Sequence, residues 1–98
     1  MIKAMITEDD FRVASIHEEF IKKIDGVEVV GKALNASEAL TVLENTQVDV
    51  LLLDNYLPDQ PGVSLLPEIR QKHPKLDIIL ITASTEGDVV ESSIRNGV

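Results

Sequence analysis

Ninety-eight residues are enough for one small domain, and at that size the stability margin is thin because little of the surface can be buried, so a second domain is not expected. Apolar residues make up 44% of the chain and aromatic residues only 3%, which excludes disorder and calls for a core of Ile, Val, Leu and Ala. Seventeen Asp and Glu against nine Lys and Arg give a net charge of −8, which repels nucleic-acid backbones and anionic lipid, and the lack of cysteine excludes disulfides and thiolate metal sites.

The first apolar run, Ile2 to Ile6, is of strand length and passes at once into Glu8, Asp9 and Asp10, which does not fit a signal peptide. Val13, Ile16, Phe20 and Ile24 then recur three or four apart and predict one inward face of a helix, stopped by Asp25-Gly26. A second strand is predicted over Val27 to Ala33. Asn35 with Glu38 three residues on is a capping-box-like pair, opening a helix that runs through Ala39, Leu40 and Leu43. The third strand, Val48 to Leu53, ends in Asp54. The stretch Val63 to Lys72 has helical spacing, but Pro67 lacks a donor and clashes with a preceding turn, so a late start or a kink is expected there. His73-Pro74 ends that helix. A fourth strand covers Leu76 to Ile81, and Thr85 with Asp88 caps a last helix that runs to Asn96 and Gly97.

The order is βαβα repetition. Val50-Leu51-Leu52-Leu53 and Ile78-Ile79-Leu80-Ile81 are continuously apolar rather than alternating, which predicts strands buried on both faces and a doubly wound α/β fold with a parallel sheet. No apolar run approaches the roughly 20 residues of a membrane span. A soluble, cytoplasmic chain is expected, with no direct contact to nucleic acid or membrane.

In a parallel sheet, ligands bind outside the carboxyl ends of the strands. Those ends carry Thr7-Glu8-Asp9-Asp10, then Asp54, then Thr82-Ala83-Ser84, and with strands one, three and four adjacent the three groups meet at one edge. Clustered carboxylates raise one another's proton affinity unless a cation lies between them. Mg²⁺ suits the inventory, because it takes one or two carboxylates, keeps several waters and accepts phosphate oxygens. Histidine and cysteine are absent from the cluster, which argues against zinc or copper.

Glu8-Asp9 after strand one, the apolar run into Asp54 continued by Leu57-Pro58 and Gly62, and Ile81-Thr82-Ala83 together resemble the receiver domains of bacterial two-component response regulators. Each motif alone is weak, and three at the correct strand ends are strong. The wording from Asp54 to Asp59 looks most like the citrate- and malate-sensing subfamily. The resemblance implies a flavodoxin-like fold with strand order 2-1-3-4, over a receiver domain spanning residues 1–98. It implies Asp54 as phospho-acceptor, Asp9 as a direct Mg²⁺ ligand, Glu8 acting through water, the Tyr56 backbone carbonyl completing the site, and Thr82 as the switch hydroxyl. A sensor histidine kinase is the implied donor and transcription the implied output. By the same likeness the family's fifth strand, with its lysine and aromatic switch residue, and its fifth helix are missing after Val98. The fourth strand is then expected to be an exposed apolar edge, through which this chain self-associates or continues into a longer protein.

Blander readings stand beside these. An Asp at a strand end is by itself a turn former, and Asp10 reads as an acidic residue at a helix N-terminus. Thr82 also fits an ordinary strand position. His17 and His73 are isolated and read as surface or helix-end residues. The Asn55 and Tyr56 side chains are expected to face solvent. A phosphohydrolase with an Asp nucleophile would place a general acid two residues later, where this chain has Tyr56, and a degenerate receiver would serve only as an interaction module. Flavin is disfavoured, because an acidic loop after strand one repels its phosphate.

Overall fold

The computed structural model describes residues 1–81. Thr82, Ala83 and Ser84, the Thr85–Asp88 cap and the helix expected up to Gly97 lie outside the described residues. In chain order the elements are β1 (Ile2–Thr7), α1 (Phe11–Lys22), β2 (Val27–Ala33), α2 (Ala36–Asn45), β3 (Val50–Asp54), a 3-10 turn (Gly62–Leu65), α3 (Leu66–Lys72) and β4 (Asp77–Ile81). The strands form one parallel sheet in the order β2-β1-β3-β4, which is the expected arrangement.

Two apolar layers sandwich the sheet. Ala4 and Ile6 of β1 pack with Ala14 and Ile21 of α1 on one face. On the other, Met5, Leu51, Leu53 and Ile78 meet Ala36, Ala39 and Leu43 of α2 and Leu66 and Ile69 of α3. Burial of each Leu or Ile side chain contributes roughly 1.5–3 kcal/mol, so the centre of the sheet is well held. β1 is the strand buried on both faces, with Ala4, Met5, Ile6 and Thr7 all nearly inaccessible.

α1 presents a different face from the one predicted. Ala14 and Ile21 point inward, while Ile16 and Phe20 are exposed and Ile24 lies beyond the end of the helix. The apolar residues of α1 fit two stripes about one residue apart, and the stripe carrying the small Ala14 is the one that approaches the sheet closely. The helix ends earlier than Asp25-Gly26, at Lys22 with Lys23 as its C-cap, and Gly26, at φ 84°, makes the turn into β2.

β4 departs from expectation as well. Ile78 is buried and Ile79 is 52% exposed, so this strand is covered on one face and lies at the edge of the sheet among the described residues. The third helix behaves as its sequence requires: a 3-10 turn leads in, and Pro67 falls in the first turn of α3, where no amide donor is needed. Asn35 caps α2 by accepting the Glu38 amide at 2.8 Å, and the Glu38 carboxylate accepts the Leu34 amide at 3.0 Å. Among the described residues no helix is long and apolar enough to cross a membrane.

Candidate functional site

β1 and β3 are neighbours in register, with Thr7 opposite Leu53, so the residues that follow them leave the sheet side by side. Glu8, Asp9 and Asp54 each bring one carboxylate oxygen to within 4.8 Å of the others, as the strand-end argument required. Their environments differ. Glu8 is 7% exposed, Asp54 is half-buried and Asp9 is exposed.

Burial pushes the Glu8 carboxyl up to about 7, reinforced by a hydrogen bond and charge repulsion from Asp54 and opposed by the Asp10 amide. Glu8 therefore keeps its proton up to near neutrality. Asp10 is the N-cap of α1, where its carboxylate accepts the Arg12 amide at 2.9 Å. That bond holds its pKa below the ordinary carboxylate value, and Asp10 is no member of the cluster. His17 and His73 also stand apart from it.

The loop after β3 is held largely by its own backbone. The Asp54 carboxylate accepts the Tyr56 amide at 3.1 Å, which orients the acid from behind. The Asn55 amide donates to the Ile81 carbonyl at 3.0 Å and the Gly62 amide to the Asn55 carbonyl at 2.9 Å. Tyr56 forms a bridge with Pro61. Asn55 was expected in solvent but is 6% exposed, because its side-chain oxygen accepts the Val63 amide at 3.1 Å and so caps the turn into α3. Tyr56 is 52% exposed, as expected. Gly62 sits against the acid's own backbone, and a Cβ there would lie 2.2 Å from the Asp54 carbonyl oxygen.

A further acid of this loop carries no motif signal. Asp59 reaches back to α2, accepting the Ala36 amide at 2.9 Å and the Ser37 amide at 3.1 Å. These bonds hold its carboxyl below the ordinary range. An Asp after a proline reads as a turn former, and nothing local points to a partner 22 or 23 residues away.

The donor set fits a hard divalent cation. All three groups are carboxylates, and adjacent ligands of an octahedral Mg²⁺ lie about 3 Å apart, a spacing that modest rotation of the exposed Asp9 would reach. Repulsion among the oxygens around Glu8 is the electrostatic situation such a cation relieves.

The profile described as "Response regulator receiver domain" matches residues 4–98. The chain belongs to the response regulator receiver family. Transcriptional regulatory protein CitT of Bacillus subtilis (strain 168) is 49% identical over 98 residues, covering all of this chain and 43% of CitT. Transcriptional regulatory protein MalR of the same organism is 36% identical over 97 residues, 99% of this chain and 41% of MalR. The chain thus spans less than half the length of these curated relatives, and it groups with the citrate- and malate-type receivers. Among solved structures, a LuxR-family DNA-binding response regulator from Staphylococcus aureus superposes with a TM-score of 0.91 at 26% identity, covering 100% of this chain and 82% of that one. A CheY-like receiver from Methanospirillum hungatei JF-1 superposes with a TM-score of 0.89 at 25% identity, covering 99% and 76%. Both neighbours support the flavodoxin-like receiver fold with its strands ordered 2-1-3-4.

Proposed function

We propose that Asp54 of this receiver accepts a phosphoryl group from the phosphohistidine of a sensor kinase, with Glu8 and Asp9 holding Mg²⁺ beside it. The observation that carries the reading is the convergence of three carboxylate oxygens within 4.8 Å, one of them on Asp54, whose carboxylate accepts the Tyr56 amide at the carboxyl end of β3. Mg²⁺, when bound, neutralises charge that gathers on the phosphoryl oxygens. The protein's own part is positional. An Asp54 oxygen attacks phosphorus, the phosphorus–nitrogen bond of the donor breaks, and the imidazole leaves with its electron pair and takes up a proton.

The Tyr56 amide restrains the Asp54 oxygen that does not attack, and Glu8, deprotonated when a cation binds, adds its negative charge, through water, from just beyond the end of β1. The Tyr56 carbonyl is assigned as a further metal ligand and Thr82 as the hydroxyl that engages the phosphoryl group. The output is assigned to transcription, because the curated relatives are transcriptional regulators, and the setting to the cytoplasm. The chain is read as a phosphorylated switch and not as a turnover enzyme.

Incubation with phosphoramidate and Mg²⁺, followed by intact-mass spectrometry, is expected to show one phosphoryl group per chain. That adduct should disappear in Asp54→Asn and on chelation of the metal. No uptake by wild-type protein that binds Mg²⁺ would favour a receiver that acts only as an interaction module, and uptake that persists in Asp54→Asn would move the acceptor elsewhere.

A further inference from the structure

The two acidic segments of the pocket are tied together by a third segment that supplies no ligand. The Glu8 amide donates to the Ala33 carbonyl at 3.0 Å, where β2 ends. Three residues later, α2 begins, and its first two amides, Ala36 and Ser37, donate to the two oxygens of Asp59. Asp59 in turn lies in the loop that begins at Asp54. Glu8, the β2–α2 junction, Asp59 and Asp54 therefore form a closed circuit around the pocket, with the Glu8–Asp54 contact as its last link.

Capping alone does not explain this arrangement. Asn35 already caps α2 from its own side by accepting the Glu38 amide at 2.8 Å, and the amide of the exposed Ser37 could turn to water, so that only the amide of the fully buried Ala36 needs a protein acceptor. What Asp59 adds is a connection across 22 to 23 residues. Its position matters too. The stem of the loop is pinned by Asn55, the Tyr56–Pro61 bridge and Gly62, and Leu57 is buried in the core, while the Pro58–Gln60 tip is held by Asp59 and by the Gln60 side-chain oxygen, which accepts the Ser64 hydroxyl at 3.3 Å.

We propose that Asp59 is a positioning residue for the phospho-acceptor site: by clasping the start of α2 it fixes the loop carrying Asp54 and Tyr56 at a set distance from Glu8 and Asp9. It touches neither metal nor phosphoryl group. It acts through the backbone, as outer-shell partners of metal ligands do. The proposal rests on the Mg²⁺ site described above.

The test compares Asp59→Ala with Asn35→Ala. Both remove side-chain acceptors from the same helix start, and only the first releases the loop. Mg²⁺ affinity by titration calorimetry is expected to fall about tenfold in Asp59→Ala, the scale of an outer-shell loss, and to stay within about twofold of wild type in Asn35→Ala, while both lower the melting temperature. Asp59→Asn keeps one acceptor oxygen, can retain one of the two bonds, and should recover part of the affinity. Equal Mg²⁺ affinity in wild type and Asp59→Ala would overturn the proposal, as would equal losses in Asp59→Ala and Asn35→Ala. Wild-type protein that binds no Mg²⁺ would instead sink the metal-site reading and the proposal with it.

Discussion

Glu8 links the electrostatics of the pocket to the stability of the whole domain. In the unfolded chain its carboxyl titrates near 4.5, and in the metal-free fold at about 7. The folded state thus holds a proton that the unfolded state has lost between those values, so stability must fall as pH rises through this window and level off above it. At about 1.4 kcal/mol for each pH unit, a rise from 4.5 to about 7 sets the full loss at about 3 kcal/mol. That is a large part of the 5–15 kcal/mol or so typical of a small domain.

Glu8→Gln carries no charge at any pH and keeps the shape. Near pH 5 the variant and wild type should be about equally stable, and at pH 8 in a chelator the variant should be more stable by about 3 kcal/mol. Urea unfolding followed by circular dichroism, at half-unit steps from pH 5 to 8, measures both curves. Every group common to the two proteins drops out of the difference. Adding Mg²⁺ should restore wild-type stability at pH 8 by mass action and help the variant much less. A wild-type curve in chelator that is flat from pH 5 to 8, or a Glu8→Gln curve with the same slope, would refute the reasoning.

Other outcomes follow from single contacts. Thr7 is 1% exposed and its hydroxyl has no partner among the described residues, so Thr7→Val should raise stability by about 1 kcal/mol in thermal unfolding, and a loss would mean that the hydroxyl is satisfied. Gly62→Ala places a carbon 2.2 Å from the Asp54 carbonyl, and the displacement of the acid should slow phosphoryl uptake from phosphoramidate by about a hundredfold; a wild-type rate would show that the loop yields freely. Ile79 is 52% exposed on β4, which lies at the edge of the sheet among the described residues, and this predicts concentration-dependent association abolished by Ile79→Lys. Sedimentation velocity showing a monomer at all concentrations would contradict it.

The parts of the fold that were legible in the sequence are those fixed by local rules. Strand lengths, the Asn35–Glu38 cap, the turn at Gly26 and the late start forced by Pro67 each depend on residues within a few positions of one another. The acidic pocket was legible for a different reason: in a parallel sheet every strand ends at the same edge, so Glu8, Asp9 and Asp54 could be brought together from element order alone. The inward face of α1 could not be read this way. Its apolar residues satisfy helical spacing on two faces, and only the close approach of Ala14 to Ala4 and Ile6 selects between them. Burial of Ile79 was inferred from a continuous apolar run, yet such a run records which residues a strand carries and not whether both its faces are covered. Asn55 and Asp59 were missed because their partners are backbone amides, which no side-chain pattern reveals.

These omissions share a physical logic that bears on how the site works. Carboxylates in close array repel, and side chains in water would swing apart to relax that repulsion. Here the chain limits that freedom by bonding each segment through main-chain groups: Glu8 through its amide to Ala33, Asp54 through the Tyr56 amide, Asn55 through Ile81 and Val63. The bonds from the Glu8 amide to Ala33 and from the Asn55 amide to Ile81 join main chain to main chain and do not depend on the charge of the acids they position, whereas the Tyr56 amide donates to the Asp54 carboxylate itself. The pocket can therefore lose a proton from Glu8 or gain a cation while its frame stays put, so that a change in charge is felt as a change in affinity and stability. A frame that sagged on deprotonation would dissipate the same energy in rearrangement, and the steep pH dependence argued for Glu8 would be absent.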